Sequence, residues 1–168
     1  MKRTKAKDVA FYGVFVALAF VFSYVEALFP VSIGIPGIKL GLANIVVLTA
    51  LYAMGWKEAF AISCVRIVLA GFTFGSLASM LYSLAGGLLS WAVMVICKKI
   101  KAFSMVGVSV AGGIFHNVGQ IMMAMLVLRT ESLGYYLPVL LIAGTVTGLL
   151  SGILGGALLK IQLKLKNS

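Results

Sequence analysis

The chain has 168 residues, 62% hydrophobic and 11% charged, with a mean hydropathy of +1.12, whereas roughly a quarter of the residues of a soluble domain are charged. Fourteen Lys and Arg stand against four Asp and Glu, but these bases sit at the ends of apolar stretches and form no face interleaved with aromatics, which excludes a nucleic-acid interface. A water-soluble enzyme is excluded with it, and the expectation is an all-α integral membrane protein, one transmembrane domain over residues 1–168.

Six spans are predicted, over residues 9–29, 40–54, 59–74, 77–97, 106–128 and 138–159. The first follows Lys2, Arg3, Lys5 and Lys7 in the manner of a secretory signal. It is longer than a signal core and no small-x-small site precedes Pro30, so it reads as a membrane span of the mature chain. Near its inner end, Gly13-x-x-x-Ala17 leaves a small-residue face that suits docking of a partner. Glu26 falls in its outer third. The loop from residue 30 to 38, with Gly34, Pro36 and Gly37, is either the rim of a pocket or a plain connector of turn residues.

Spans two and three are short, about 15 residues each against a usual 17–25. Lys39 and Asn44 stand at the outer start of the second and Arg66 near the middle of the third. Between them, Gly55-Trp56-Lys57-Glu58 reads as a polar turn with an interfacial Trp, which favours two helices over one re-entrant unit. Cys64 and Cys97 are isolated thiols that suggest neither a disulfide nor a metal site. Span five carries His116, Asn117 and Gln120; His116 and Gln120 share a helix face, and Asn117 points about 100° away from His116. Met122, Met123 and Met125 read as lipid-facing or core filling. Trp56, Trp91 and the Tyr135-Tyr136 pair read as interfacial anchors, with Tyr136 a candidate to stack on a ligand. In span six, Gly144, Gly148, Gly152 and Gly156 make one face without side chains, where a second helix backbone can approach closely, from within the chain or from another subunit.

Orientation follows from the distribution of bases. With the N-terminus inside, eleven Lys and Arg lie on the cytoplasmic side, only Lys39 and Arg129 lie outside, and Arg66 is left within a span. The positive-inside rule then places both termini in the cytoplasm and the protein in the cell membrane.

Ionisable groups at membrane depth are costly and need a partner, a water cavity or a ligand. Glu26, Lys39, Asn44, Arg66, His116, Asn117 and Gln120 all lie from mid-membrane outward, which makes them the candidate ligand-binding set of a pocket open to the outside. Each has a structural alternative: Glu26 paired with Lys39 or Arg66, and His116, Asn44 and Gln120 as interhelical hydrogen bonders. Cations outnumber anions in the set, so a guest with an anionic or strongly accepting group is expected. Asp8 is the only Asp, so there are no clustered carboxylates to hold magnesium, and no phosphate-binding loop or Ser-His-acid grouping can be assembled. The expectation is a protein that is not an enzyme and uses no cofactor or metal.

The runs Pro36-Gly-Ile-Lys-Leu-Gly-Leu-Ala-Asn44, Tyr82-Ser-Leu-Ala-Gly-Gly87, His116-Asn-Val-Gly-Gln120 and Tyr135-Tyr-Leu-Pro138 resemble the family called heptaprenyl diphosphate synthase component I, also labelled the Gx transporter family, over nearly the whole chain. That family is similar to the substrate-binding S components of energy-coupling factor (ECF) importers. The resemblance implies a six-helix bundle with an outward pocket under the first outer loop, docked on a transmembrane coupling subunit through small residues of the first helix. S components usually show Ala-x-x-x-Ala there, where this chain has Gly13-x-x-x-Ala17. Expected partners are a small organic solute, membrane lipid, and either an ECF coupling subunit with its ATPases or a soluble prenyl diphosphate synthase subunit.

Overall fold

The computed structural model describes the backbone of residues 5–28, 39, 41–100 and 102–167, and the side chains of those between residues 9 and 160. Six α-helices form in chain order: α1 (Lys5–Leu28), α2 (Asn44–Ala53), α3 (Trp56–Thr73), α4 (Leu77–Lys99), α5 (Met105–Leu128) and α6 (Leu137–Asn167). A short 3₁₀ helix, Glu131–Tyr136, joins α5 to α6. The predicted outer loop, residues 30–38, lies outside the described residues.

Local chemistry sets the boundaries. The chain breaks between α2 and α3 at Gly55, whose φ of +139° is unfavourable for any residue with a Cβ. The polar turn expected there separates two helices. Ser76 opens α4 with a reciprocal capping box: its hydroxyl accepts the Ser79 N–H at 3.1 Å, and the Ser79 hydroxyl accepts the Ser76 N–H at 3.2 Å. Ser104 caps α5 by accepting the Gly107 N–H.

The helices occur where spans were predicted, but they are not equivalent. Among the described residues, four segments are long and apolar enough to cross a membrane: Val9–Leu28, Leu77–Lys99, Met105–Leu128 and Glu131–Lys160. The 18 residues of α3 include Lys57, Glu58 and Arg66. The stretch predicted as span two contracts to the ten residues of α2, about 15 Å of helix against a hydrocarbon core of about 30 Å. Every residue of α2 from Asn44 to Leu51 is buried, because α1, α3, α4, α5 and α6 all pack around it. A helix with no lipid-facing side need not match the bilayer thickness, and its non-helical approach is tolerated where protein covers it.

Glycine brings α4, α5 and α6 close together. α5 lies between α4 and α6 and packs most extensively on both. A methyl group at Gly144 would lie 2.7 Å from the Gly113 carbonyl oxygen, at Gly148 2.6 Å from the Val110 Cα, and at Gly152 2.7 Å from the Val106 Cα. The expected small face of span six therefore packs inside the chain. Gly156 departs from the pattern and meets nothing within 4 Å. In this antiparallel register its counterpart falls in the turn ahead of α5, where no helix remains to face it. The outer surfaces carry exposed apolar side chains, among them Val14 and Val21 of α1, Val68 and Phe72 of α3, and Ile142 and Ile153 of α6, a surface suited to lipid.

Candidate functional site

The centre of the candidate site is the start of α2. Gly41 adopts a φ of +85°, and the turn it makes directs the N–H groups of Gly41 and Leu42 at one carboxylate oxygen, Glu26 Oε1 on α1, 2.8 Å from the Leu42 nitrogen. A carboxylate at a helix start also meets the positive end of its dipole. Gln120 of α5 holds Lys39, two residues before Gly41, as a neighbouring strand would. Its Oε1 accepts the Lys39 N–H and its Nε2 donates to the Lys39 carbonyl, both at 2.9 Å. The segment entering α2 is thus tied to α1 and α5 by two side chains.

Around this turn lie polar atoms without partners. A methyl at Gly41 would lie 3.1 Å from both Asn44 Nδ2 and His116 Cδ2. Glu26, Asn44, Arg66 and His116 are each at most 7% exposed. Among the described residues no hydrogen-bond partner satisfies Glu26 Oε2, Asn44 Nδ2, Arg66 Nε or Arg66 Nη2, while His116 lies in hydrogen-bonding reach of the Gly86 backbone. Arg66 spends one nitrogen on Ser23, with Nη1 donating to its hydroxyl at 3.1 Å. Ser23 sits three residues before Glu26, on the same side of α1. Glu26, Lys39, Arg66 and His116 act on one another electrostatically. Of the two Glu26 oxygens, Oε1 serves the backbone by accepting the Gly41 and Leu42 N–H groups.

Lys39 lies at the edge of this cluster, half-buried, with Nζ 5.8 Å from the centre of the Phe74 ring. Burial pushes its ammonium below the ordinary lysine value; the Glu26 carboxylate opposes that shift and the Arg66 charge adds to it. Asn117 stands apart. It turns to α6, where Nδ2 donates to the Leu140 carbonyl at 2.7 Å, while His116 and Gln120 lie against Gly86 of α4. The seven candidate residues therefore divide into four around the α2 turn (Glu26, Asn44 and Arg66 with unmet groups, and His116 against Gly86), two that shape its entrance (Lys39, Gln120), and Asn117, which joins α5 to α6 through Nδ2 and leaves its own Oδ1 unmet.

Two contributors were absent from the sequence set. Gly41 stood within a quoted run, and its signal was a glycine one turn ahead of a helix. Ser23 had only its spacing from Glu26. Among the described residues no three His, Cys, Asp or Glu side chains gather, and Cys64 and Cys97 are free.

Gly13 and Ala17 lie exposed on the outer side of α1, and a methyl at Gly13 would meet nothing within 4 Å. Beside them an open groove of about 410 Å³ runs between α1 and α3, bordered by Tyr12, Val16, Lys57, Glu58, Ala61, Ile62 and Val65.

Fold and cluster together define an all-helical membrane protein organised around a buried polar centre. A model of the heptaprenyl diphosphate synthase component I family matches residues 15–158, and the chain belongs to that family. Membership accords with the expectation that the chain is not itself an enzyme. No curated protein and no solved structure matches it.

Proposed function

We propose that the chain is a noncatalytic, solute-binding membrane subunit that works as the S component of an ECF-type importer. The observation that carries the reading is Arg66. A guanidinium holds its charge at any physiological pH, and here it is buried with Nε and Nη2 unmatched. Leaving charged donors unmet in an apolar bundle is strongly unfavourable, which is the expected state of a site awaiting an acceptor. Glu26 Oε2 and Asn44 Nδ2 extend the same argument around the α2 turn.

In this reading all six helices belong to the membrane region, α2 is a half-length central helix, both termini face the cytoplasm, and the cluster opens outward. The solute enters past Lys39. Glu26, Asn44, Arg66 and His116 hold it, while Lys39 and Gln120 shape the entrance. Gly13 and Ala17, exposed on α1, dock the coupling subunit, and its ATPases supply the energy this chain lacks. Native mass spectrometry of the detergent-extracted protein tests it. A small molecule retained by the wild type and lost from Arg66→Ala, together with a coupling subunit and two ATPases lost from Ala17→Leu, is the expected result. Retention unchanged in Arg66→Ala removes Arg66 from the site.

The family description favours a second reading, a noncatalytic membrane partner of a polyprenyl diphosphate synthase. Adding the purified chain to a soluble synthase would then raise its activity or change its product length. An importer subunit would do neither.

A further inference from the structure

The unmet atoms of the cluster are of two opposite kinds, and this limits what can satisfy them together. Arg66 Nε and Nη2 and Asn44 Nδ2 are donors and require an acceptor. Glu26 Oε2 is a carboxylate oxygen and requires a donor. Lys39, Arg66 and Glu26 leave one positive charge over, which a single anionic group on the guest cancels. We infer that the solute is a small monoanion that also carries an N–H or O–H donor, its anionic end on Arg66 and Asn44 and its donor on Glu26; this rests on the solute-binding reading above.

The same atoms argue against a prenyl diphosphate headgroup in this site. A diphosphate presents acceptor oxygens around a multiply charged centre, so it would satisfy Arg66 but bring negative charge against Glu26 in a poorly screened interior. Glu26 is then a specificity determinant that rejects polyanions and selects for a donor.

One substitution inverts this property without changing shape. Glu26 Oε1 accepts the N–H groups of Gly41 and Leu42. In Glu26→Gln the amide oxygen must keep that place, because only an oxygen can accept there. The amide nitrogen, a pure donor, then stands where Oε2 was.

The test uses the full-length purified protein and three probes, 4-hydroxybutyrate, butyrate and inorganic diphosphate, with affinities read from thermal-shift titrations. The wild type should bind 4-hydroxybutyrate about tenfold more tightly than butyrate, the scale of one hydrogen bond to a charged acceptor, and diphosphate most weakly. Glu26→Gln should erase the hydroxyl preference and strengthen diphosphate by a similar factor. Arg66→Gln should weaken all three. If wild type prefers diphosphate, or if Glu26→Gln leaves the order of the probes unchanged, the assignment of the guest is overturned and the binding site survives. If no probe shifts the wild type and Arg66→Gln changes nothing, the solute-binding reading falls with it.

Discussion

At the level of single residues, Arg66 separates stability from function most clearly. Its two unmet nitrogens are a cost carried by the unliganded protein. A buried charge without a direct partner carries a desolvation penalty of several kcal/mol. Arg66→Met should therefore raise the melting temperature of the solute-free protein while abolishing retention of the solute; a clear fall in melting temperature would make Arg66 a structural residue. Lys39 offers a pH test. Its ammonium titrates below the ordinary lysine value of 10.5 because of burial, so in the window just under that value the unfolded chain holds the proton more firmly than the folded one. Stability should then rise with pH through that window. Melting temperature measured against pH should show the wild type gaining on Lys39→Gln as pH climbs toward 10.5, and parallel curves would contradict the shift. Gly41, with φ at +85° and Asn44 and His116 at its Cα, shows how a residue with no side chain can decide where the surrounding polar groups point.

At the level of elements, the α5–α6 contact is set by backbone against backbone. Helices in lipid gain nothing from hiding apolar surface, so close packing and interhelical hydrogen bonds must hold them. Gly113, Gly144, Gly148 and Gly152 provide the first, and Asn117 donating to Leu140 provides the second. Gly148→Ala puts a methyl into the Val110 backbone and should cost about 1–3 kcal/mol, the range for overpacking. Gly156→Ala meets open space and should stay within about 0.5 kcal/mol of wild type. Equal effects in reversible denaturation of the two variants would refute the register. α2 illustrates the opposite case, a helix placed by its surroundings. Its C-terminal end receives Lys98 Nζ at the Leu51 carbonyl and its N-terminal turn receives Glu26, so neighbouring helices hold both ends.

For the whole molecule, the proposed topology assigns the Glu131–Tyr136 turn to the outside and the end of α6 to the cytoplasm. Tyr135 is 87% exposed and lies on that turn. In a background of Cys64→Ser and Cys97→Ser, Tyr135→Cys should react with a membrane-impermeant maleimide on intact cells, and Lys160→Cys only after permeabilisation. The reverse pattern would turn the cluster inward and remove the importer reading. The exposed small face of Gly13 and Ala17, the groove beside it and the lipid-suited sides of α3 and α6 leave α1 as the least enclosed long helix, in keeping with a docking role for it.

Helix number and approximate position were legible in the sequence because apolar runs of sufficient length, punctuated by polar turns such as the one at Gly55, report local physics. The face shared by His116 and Gln120 was legible for the same reason: helical periodicity is a property of one segment. The contraction of α2 to ten buried residues was not legible, because a run that is apolar all round looks the same whether lipid or protein surrounds it. The bond from Glu26 to the Gly41 and Leu42 N–H groups was also hidden, since a carboxylate near two cations reads as an ion pair until the backbone is seen. Composition and apolar periodicity by themselves determined the helical class and pointed to most of the polar groups that gather around the α2 turn. Only the tertiary structure decided which of those groups satisfy one another and which are left unmet, because that depends on contacts between segments far apart in the chain.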